Sequence, residues 1–306
     1  MVRVVVRIAV SPDTAPQWVL DAVVAGGATL VAPAEAEGLV WFDALRPDGL
    51  PPVLAAAPGA RWVHLPWAGV EPYAGILDHD RLWTCGKGVY AEPVAEHAML
   101  LAVAGLRDLP RRVRARTWER SGGTSLYDRP VTILGGGGIT EELLRHLAVF
   151  RCEVTVVRRR PEPLAGAARV VTVDRLHEAL PGAQVVFIAL ALTPATTGII
   201  GAAELALMDP TAWLVNVGRG GHVVTDDLVA ALRAGTIAGA ALDVTDPEPL
   251  PDGHPLWDLP NCLITPHTAN TVAMARPAIE QRITGNVRRF AAGEPLVGVV
   301  DVAAGY

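Results

Sequence analysis

Short apolar runs alternate with helix-like segments along the whole 306-residue chain. Strands are predicted for five runs rich in β-branched residues in the first part of the chain, at residues 2–10, 28–31, 39–42, 61–65 and 82–85. Seven further runs are almost wholly apolar, at residues 131–134, 154–157, 170–173, 185–190, 212–217, 238–242 and 262–265. Continuous hydrophobicity is typical of strands that are buried on both faces, so the second series predicts a parallel sheet covered by helices on each side.

Helical patterns fill the intervals, and three of them have readable limits. A long helix is predicted from Pro93 to about Arg116. Another is predicted to begin at a Thr225 cap and to end at Gly235, and the last covers residues 272–292. Alternating strands and helices indicate the α/β class, and a chain of this length exceeds the usual size of one core. We therefore expect two α/β domains.

Composition narrows the class of protein. Hydrophobic residues make up 51% of the chain and charged residues 19%, which is typical of a well-packed globular protein. The net charge of −6 argues against nucleic acid or an anionic membrane as the main partner. The three cysteines form no C-x-x-C pair, and no histidines have ligand-like spacing, so neither a disulfide framework nor a metal site is predicted. The run at residues 2–10 lacks the length and cleavage signal of a secretory peptide, and no run is long enough to span a bilayer; we expect a soluble, cytoplasmic protein.

The first apolar run of the second series ends in four glycines and an isoleucine that open a helical pattern: Gly135, Gly136, Gly137, Gly138 and Ile139. Backbone N–H groups at a helix start approach a phosphate closely when no side chain intervenes, and the helix dipole favours its negative charge. The first two positions of the G-x-G-x-x-G dinucleotide motif are matched, whereas Thr140 occupies the third. A β-branched side chain there pushes the helix outward unless a small residue faces it. The segment predicts a pyrophosphate site, and a glycine-rich loop without a ligand is the alternative.

Three later strands each end next to a residue with useful chemistry. Arg219 lies between two glycines, and its planar guanidinium suits a carboxylate because it makes two parallel hydrogen bonds. The loop after residues 238–242 carries Glu248, and His267 follows the run at residues 262–265. If these strands are neighbours, Glu248 can orient His267 and stabilise its protonated form, which makes the pair a general acid for a carbonyl oxygen. Taken singly, a surface arginine, a loop glutamate and a structural histidine are the alternatives.

Open α/β sheets bind ligands beyond the carboxyl ends of their strands. Four further residues at or near such strand ends are therefore predicted to contact a cofactor: Leu190, Val217, Gly218 and Asp243. A dinucleotide loop, an anion-binding arginine and an acid–histidine pair are together the parts needed to transfer a hydride to an oxo acid.

In these segments the sequence resembles the D-isomer-specific 2-hydroxyacid dehydrogenases, a family that includes glyoxylate/hydroxypyruvate reductases and phosphoglycerate dehydrogenase. The resemblance runs from about residue 63 to residue 300. Its most specific parts are Asn216-Val217-Gly218-Arg219-Gly220, Leu242-Asp243-Val244, Pro247-Glu248-Pro249-Leu250, His254-Pro255-Leu256-Trp257 and Thr265-Pro266-His267. Three other segments also look like family segments: Ala68-Gly69-Val70, Pro93-Val94-Ala95-Glu96-His97 and Thr193-Pro194-Ala195-Thr196-Thr197-Gly198.

The resemblance implies a Rossmann doubly wound parallel sheet inserted in a smaller flavodoxin-like α/β substrate domain. The substrate domain would comprise residues 1–97 and a returning C-terminal segment, residues 272–306, and the dinucleotide-binding domain would comprise residues 98–271. A cleft between the domains and a homodimer built largely on the cofactor domain are implied as well.

The family also implies roles for single residues. Arg219 would bind the substrate carboxylate and polarise the carbonyl, His267 would donate or accept the proton, and Glu248 would hold His267. The carboxylate would be held in addition by backbone amides of the first domain around Ala68, Gly69 and Val70. Trp67 is large and directly precedes these amides, so we expect it to reshape the substrate pocket.

The end of the second strand of the dinucleotide-binding domain indicates which cofactor is used. An acidic residue there accepts hydrogen bonds from the ribose hydroxyls of NAD, whereas arginine accommodates the 2′-phosphate of NADP. Arg158 occupies the family's usual acidic position, and Arg159 and Arg160 follow it, so a dianionic phosphate would meet up to three cations. We predict that NADP(H) is preferred over NAD(H); a solvated basic turn is the alternative.

The sequence thus predicts an oxidoreductase that uses NADPH to reduce a small 2-oxo acid, of the glyoxylate or hydroxypyruvate type, to the D-2-hydroxy acid. One alternative is NAD-dependent oxidation of a 2-hydroxy acid or of another small anion such as formate or phosphite. The other is a non-catalytic, cofactor-sensing binding protein similar to the corepressors of this family.

Overall fold

The computed structural model describes residues 5–43, 45–118, 120 and 122–306. Of the strand predicted at residues 2–10, residues 2–4 therefore lie outside the described part. The chain divides into two compact units, which we call unit 1 (Met1–Tyr90 with Thr271–Tyr306) and unit 2 (Ala91–Asn270).

Every predicted strand position contains a strand, and most of these strands are somewhat shorter than predicted, whereas those at residues 130–134 and 153–157 are one residue longer. The strands of unit 1 are Arg7–Ser11 (β1), Thr29–Leu30 (β2), Gly38–Trp41 (β3), Trp62–His64 (β4) and Leu82–Thr84 (β5). Those of unit 2 are Pro130–Leu134 (β6), Glu153–Val157 (β7), Arg169–Val171 (β8), Val185–Ile188 (β9), Trp213–Asn216 (β10), Gly239–Leu242 (β11) and Cys262–Ile264 (β12).

The α-helices of the described residues are Gln17–Ala25 (α1), Leu50–Ala56 (α2), Ala91–Leu106 (α3), Leu109–Arg114 (α4), Gly138–Val149 (α5), Ala202–Leu207 (α6), Thr225–Ala234 (α7), Pro255–Asp258 (α8) and Val272–Ala292 (α9). In the described ranges, no helix has the length and apolar character required to cross a membrane.

Unit 1 is built on a five-stranded parallel sheet in the order β2-β1-β3-β4-β5. This is the flavodoxin-like order, as predicted. The C-terminal helix α9 belongs to this unit and packs on α1, where the Thr284 hydroxyl donates to the Ala22 carbonyl at 3.0 Å. The approach is close at Gly26, the residue after α1, since a Cβ there would lie only 2.5 Å from the Val287 Cβ.

Unit 2 is built on a seven-stranded sheet in the order β12-β11-β10-β9-β6-β7-β8. Read from β8, this is the doubly wound Rossmann order with one further strand at the end, and every pair is parallel. Its central side chains, among them Ile133, Phe187 and Leu214, are fully buried. The predicted Rossmann sheet, buried on both faces, is thus confirmed.

The register of this sheet brings several strand ends side by side. Leu134 is paired with Val157 and Ile188, and Asn216 is paired with Ile188 and Leu242. Leu242 is in turn paired with Ile264. The residues that follow these positions therefore leave the sheet along one edge, and this edge carries the predicted cofactor and catalytic residues of unit 2.

Two helix predictions were wrong in detail. The long helix predicted from Pro93 breaks into α3 and α4 at Asp108, whose φ is 53°, because Pro110 lacks an N–H and its ring would clash with the carbonyl four residues earlier. Thr225 is the first residue of α7 rather than its cap, and its hydroxyl donates to the Asp246 carbonyl at 2.6 Å. The end of α7 at Gly235, with φ of 68°, is as predicted.

Candidate functional site

The glycine loop joins β6 to α5 and leaves the start of that helix open. The φ of Gly135 is 131°, and a Cβ there would lie 2.3 Å from the Ala189 carbonyl oxygen, so only glycine fits this turn. The helix begins at Gly138, and its N-cap, Gly137, provides no capping side chain. The first N–H groups of an α-helix have no acceptor within the helix. The loop of Gly135 to Gly138 with Ile139 therefore fits a phosphate group.

Arg158 lies directly against this loop. It follows β7, and its backbone N–H donates to the Val171 carbonyl at 3.0 Å. A Cβ on Gly136 would lie 2.9 Å from the Arg158 Nε, which shows that the Arg158 side chain passes directly over Gly136. Arg159 and Arg160 are exposed in the turn that follows. Of the three predicted cations, Arg158 thus has a side chain in contact with the loop.

Three predicted cofactor residues lie at the ends of the neighbouring strands β9 and β10. The Val217 N–H donates to the Ile188 carbonyl at 3.2 Å, and a Cβ on Gly218 would lie 3.2 Å from the Leu190 carbonyl oxygen. The ends of these strands therefore pack tightly against each other, beside the Ala189 carbonyl that contacts the glycine loop.

Asp243, also predicted to bind the cofactor, has a buried carboxylate with several donors. It accepts hydrogen bonds from the Thr265 hydroxyl at 2.6 Å and from the N–H groups of Thr268 and Ala269 at 2.9 and 3.0 Å. His97 Nε2 lies 3.4 Å from the same carboxylate and 2.9 Å from the Thr265 hydroxyl. Burial alone would raise the pKa of Asp243, but the hydrogen bonds from His97, Thr265 and the two N–H groups outweigh it and lower the pKa. Asp243 thereby fixes the loop after β12 to the end of β11.

Sequence reasoning missed the parts that His97 and Thr265 play in this arrangement. The only available signal was that both residues occur in family-like segments. Neither polar residue type nor spacing along the chain connects a residue near the start of α3 with the end of β12.

The loop after β12 places His267 next to Glu248. Its Nδ1 lies 2.6 Å from Glu248 Oε1, and both side chains are about half exposed, at 49% and 41%. The φ of His267 is 52°, which is uncommon for a residue other than glycine. Its N–H donates to the Asp243 carbonyl at 2.8 Å, which helps to hold this conformation. With Nδ1 engaged by the carboxylate, Nε2 is the ring nitrogen available for proton transfer.

Arg219 lies in a turn held on both sides. The Asn216 amide donates to the Arg219 carbonyl at 2.9 Å and accepts from the Gly218 N–H at 3.0 Å. On the other side, Gly220 touches the loop that carries Glu248, since a Cβ at Gly220 would lie 1.9 Å from the Thr245 carbonyl carbon. Unit 2 thus brings Arg219, Glu248 and His267 to neighbouring strand ends, β10, β11 and β12.

In unit 1, the predicted substrate loop follows β4 and consists of Trp67, Ala68, Gly69 and Val70. The Tyr90 hydroxyl donates to the Pro66 carbonyl at 2.8 Å, and the Gly86 N–H donates to the Trp67 carbonyl at 3.1 Å. The N–H groups of the last three loop residues donate to no acceptor among the described residues. Consecutive free N–H groups on an anchored loop are suited to an anion.

The described residues include no group of three or more His, Cys, Asp or Glu side chains placed to hold a metal ion. The reactive side chains at the strand ends of unit 2 are the Arg219 guanidinium and the imidazole–carboxylate pair of His267 and Glu248.

The chain is similar to known proteins over most of its length. Residues 97–269, more than half of the chain, match the pattern of the D-isomer specific 2-hydroxyacid dehydrogenase NAD-binding domain. Glyoxylate/hydroxypyruvate reductase A from Photorhabdus laumondii is 32% identical over 227 residues, which cover 74% of this chain and 72% of that protein.

Two solved structures are similar over almost the whole chain. The D-isomer specific 2-hydroxyacid dehydrogenase from Xanthobacter autotrophicus Py2, in complex with NADPH and MES, has a TM-score of 0.86 at 29% identity and covers 99% of this chain and 100% of its own. The NADPH-dependent glyoxylate/hydroxypyruvate reductase from Sinorhizobium meliloti, in complex with NADP and sulfate, has a TM-score of 0.83 at 26% identity, with 98% and 100% covered. The chain belongs to the family of D-isomer-specific 2-hydroxyacid dehydrogenases, which are NAD(P)-dependent oxidoreductases.

Proposed function

We propose that the protein reduces a small 2-oxo acid to the corresponding D-2-hydroxy acid with NADPH. The observation that carries this proposal is the 2.6 Å contact between His267 Nδ1 and Glu248 Oε1, at strand ends next to the one that carries Arg219. An anion-binding group and a general acid side by side are what the reduction of a 2-oxo acid requires.

Each of these groups has a distinct task. Arg219 binds the substrate carboxylate and polarises the C2 carbonyl. In unit 1, the N–H groups of Ala68, Gly69 and Val70 are proposed to hold a substrate carboxylate, which is supported by their having no acceptor among the described residues. His267 gives a proton from Nε2 to the carbonyl oxygen as it becomes a hydroxyl. Glu248 orients the ring through Nδ1 and stabilises the imidazolium.

The cofactor would be held along the same edge of unit 2. Its pyrophosphate would meet the glycine loop, and its nicotinamide end would lie near the ends of β9, β10 and β11: Leu190, Val217, Gly218 and Asp243. The nicotinamide, when bound, supplies the hydride that C2 receives.

NADPH is proposed over NADH because of Arg158. Its side chain crosses Gly136, where a carboxylate would repel the 2′-phosphate, and two further arginines follow. The similar proteins from X. autotrophicus and S. meliloti were solved with NADPH and NADP. Kinetic titrations with each cofactor test this choice, and a higher kcat/KM for NADH than for NADPH would contradict it.

The central experiment replaces His267 by Ala. We expect kcat to fall by at least about 100-fold because a general acid is lost, while NADPH binding, followed by its fluorescence, is retained. The chain offers a matched control in His177, whose Nε2 lies 2.7 Å from Glu204 Oε1 in another exposed histidine–glutamate pair. His177→Ala should leave kcat near that of the unaltered protein. Near-normal turnover of His267→Ala would remove this residue from the mechanism, and a lack of turnover by the unaltered protein despite tight NADPH binding would favour a cofactor sensor.

We further propose that the protein is a homodimer built on unit 2. Support comes from four strongly exposed apolar side chains of α3, α4 and the segment that follows: Leu100, Leu109, Val113 and Trp118. Light scattering should give twice the chain mass of 32.2 kDa, and a monomer at micromolar concentration would contradict the proposal.

A further inference from the structure

Four aromatic residues of unit 1 lie at the carboxyl ends of adjacent parallel strands. Phe42 directly follows β3, Trp67 lies three residues beyond β4, and Tyr90 lies in the segment after β5. Trp18 is in the first turn of α1, which follows β1. Because β1, β3, β4 and β5 are neighbours in one parallel sheet, these residues meet at the edge where open α/β sheets bind their ligands.

The four rings form a continuous chain, which we call the aromatic chain of unit 1. Trp18 meets Phe42 edge to face, with 4.9 Å between ring centroids. The centroids of Phe42 and Trp67 are 6.4 Å apart, and those of Trp67 and Tyr90 are 5.6 Å apart. These separations are typical of interacting aromatic pairs. Each ring therefore restrains the next, and the surface they form is pre-organised.

The rings of Trp18, Phe42 and Trp67 are partly open to solvent, whereas Tyr90, at one end of the aromatic chain, is buried. The Tyr90 hydroxyl already donates to the Pro66 carbonyl, so its polar end is satisfied. Beside Trp18 lies Arg276, 5.8 Å from the ring centroid, but its Nε is paired with Glu280 at 2.7 Å. The surface therefore presents aromatic faces, and the cation at its margin is largely neutralised.

We infer that Phe42 and Trp67 receive the substituent on C3 of the 2-oxo acid, and that the enzyme favours acids with an apolar or aromatic substituent over hydroxypyruvate. This inference rests on the proposed function, in which the N–H groups of residues 68–70 hold the carboxylate. Trp67 is adjacent to those amides in the chain, and C3 is two bonds from the carboxylate carbon. A hydroxyl placed on an aromatic face loses its hydrogen bonds to water without gaining others, whereas a phenyl group gains contact area.

The test compares Trp67→Ala and Trp67→Phe with the unaltered protein, using NADPH and three acids: glyoxylate, hydroxypyruvate and phenylpyruvate. We expect the unaltered protein to have a higher kcat/KM for phenylpyruvate than for hydroxypyruvate. Trp67→Ala should lower kcat/KM for phenylpyruvate by about 10- to 100-fold, the range that lost pocket contacts produce. Glyoxylate has no C3 substituent to contact the ring, so its kcat/KM should fall by a clearly smaller factor than that of phenylpyruvate. Trp67→Phe should keep most of the preference.

Tyr127→Ala is the matched control, because this exposed ring packs on Phe150 and Arg151 within unit 2 and is not part of the aromatic chain. It should change none of the three kcat/KM values. Thermal melting checks the fold of every variant, and Trp67→Leu replaces Trp67→Ala if the latter does not fold.

The outcomes separate the inference from the proposed function. A preference for hydroxypyruvate, or an equal loss for all three acids in Trp67→Ala, overturns the inference and leaves the proposed function intact. No reduction of any acid by the unaltered protein contradicts the proposed function, and the inference is then rejected with it.

Discussion

Gly220 lies against the backbone of Thr245 so closely that a Cβ on Gly220 would stand 1.9 Å from the Thr245 carbonyl carbon and carbonyl oxygen. The contact joins the turn of Arg219 to the loop of Glu248. We predict that Gly220→Ala separates these two segments and lowers kcat/KM by at least about 100-fold, since small displacements of a positioned group cost that much. Steady-state kinetics on a 2-oxo acid measures the effect.

Gly221 supplies the control for this variant. A Cβ there would make ordinary contacts, 3.4 Å from a Leu192 methyl group, so Gly221→Ala should be far milder. Equal kinetics for the two variants would show that the close contact at Gly220 does not position Arg219.

Because of Asp243, the free energy of unfolding should depend on pH in the acidic range. Its pKa is lowered from the ordinary value of 3.8, so its contribution is fully present above that value and is lost as pH falls through the lower folded-state pKa. Asp243→Asn should reduce the free energy of unfolding by roughly 2–3 kcal/mol near neutral pH, because buried donors lose their charged acceptor. The difference from the unaltered protein should shrink below about pH 4.

Chemical denaturation at several pH values measures this difference. Asp128→Asn is the matched control, because the Asp128 ion pair with Arg151 is exposed to solvent and should contribute little to stability. A stability difference for Asp243→Asn that persists unchanged at low pH would argue against the charged carboxylate as its source.

Arg158 should determine cofactor choice. Arg158→Asp removes a cation and adds a repelling carboxylate, so we expect KM for NADPH to rise by at least about 10-fold, the loss of one charge-assisted hydrogen bond, with little change for NADH. Arg169 on β8 is an exposed arginine paired with Glu178, and Arg169→Ala should leave both KM values unchanged. Parallel increases for the two cofactors in Arg158→Asp would place Arg158 at another part of the dinucleotide.

Thr140 and Thr132 form a contrasting pair. Both are buried, but the Thr140 hydroxyl has no hydrogen-bond partner among the described residues, whereas the Thr132 hydroxyl donates to the Ala179 carbonyl at 2.5 Å. Thr140→Val should therefore stabilise the protein by about 1 kcal/mol, and Thr132→Val should destabilise it by about the same amount. Thermal melting of the two variants gives opposite signs if this is correct; destabilisation by both would mean that the Thr140 hydroxyl is hydrogen-bonded to water.

Much of the fold was accessible to sequence reasoning because it depends on local pattern. The apolar runs of unit 2 became strands β6 to β12, and residues 272–292 became α9. The break at Asp108 was not predicted, since it required weighing Pro110 against a strong helical pattern on both sides. The partners of Asp243 were also missed, because His97 and Thr265 lie far from it in the chain.

The sequence by itself determined the type and order of the elements and placed each reactive residue at the end of a strand, since hydrophobic period and turn residues are properties of short segments. Only the tertiary structure decided which strand ends are neighbours and which atoms meet. The 2.6 Å contact of His267 with Glu248, the passage of Arg158 over Gly136 and the chain of rings from Trp18 to Tyr90 all depend on strand order, register and side-chain packing. These contacts join residues from separate strands, and no local pattern specifies them.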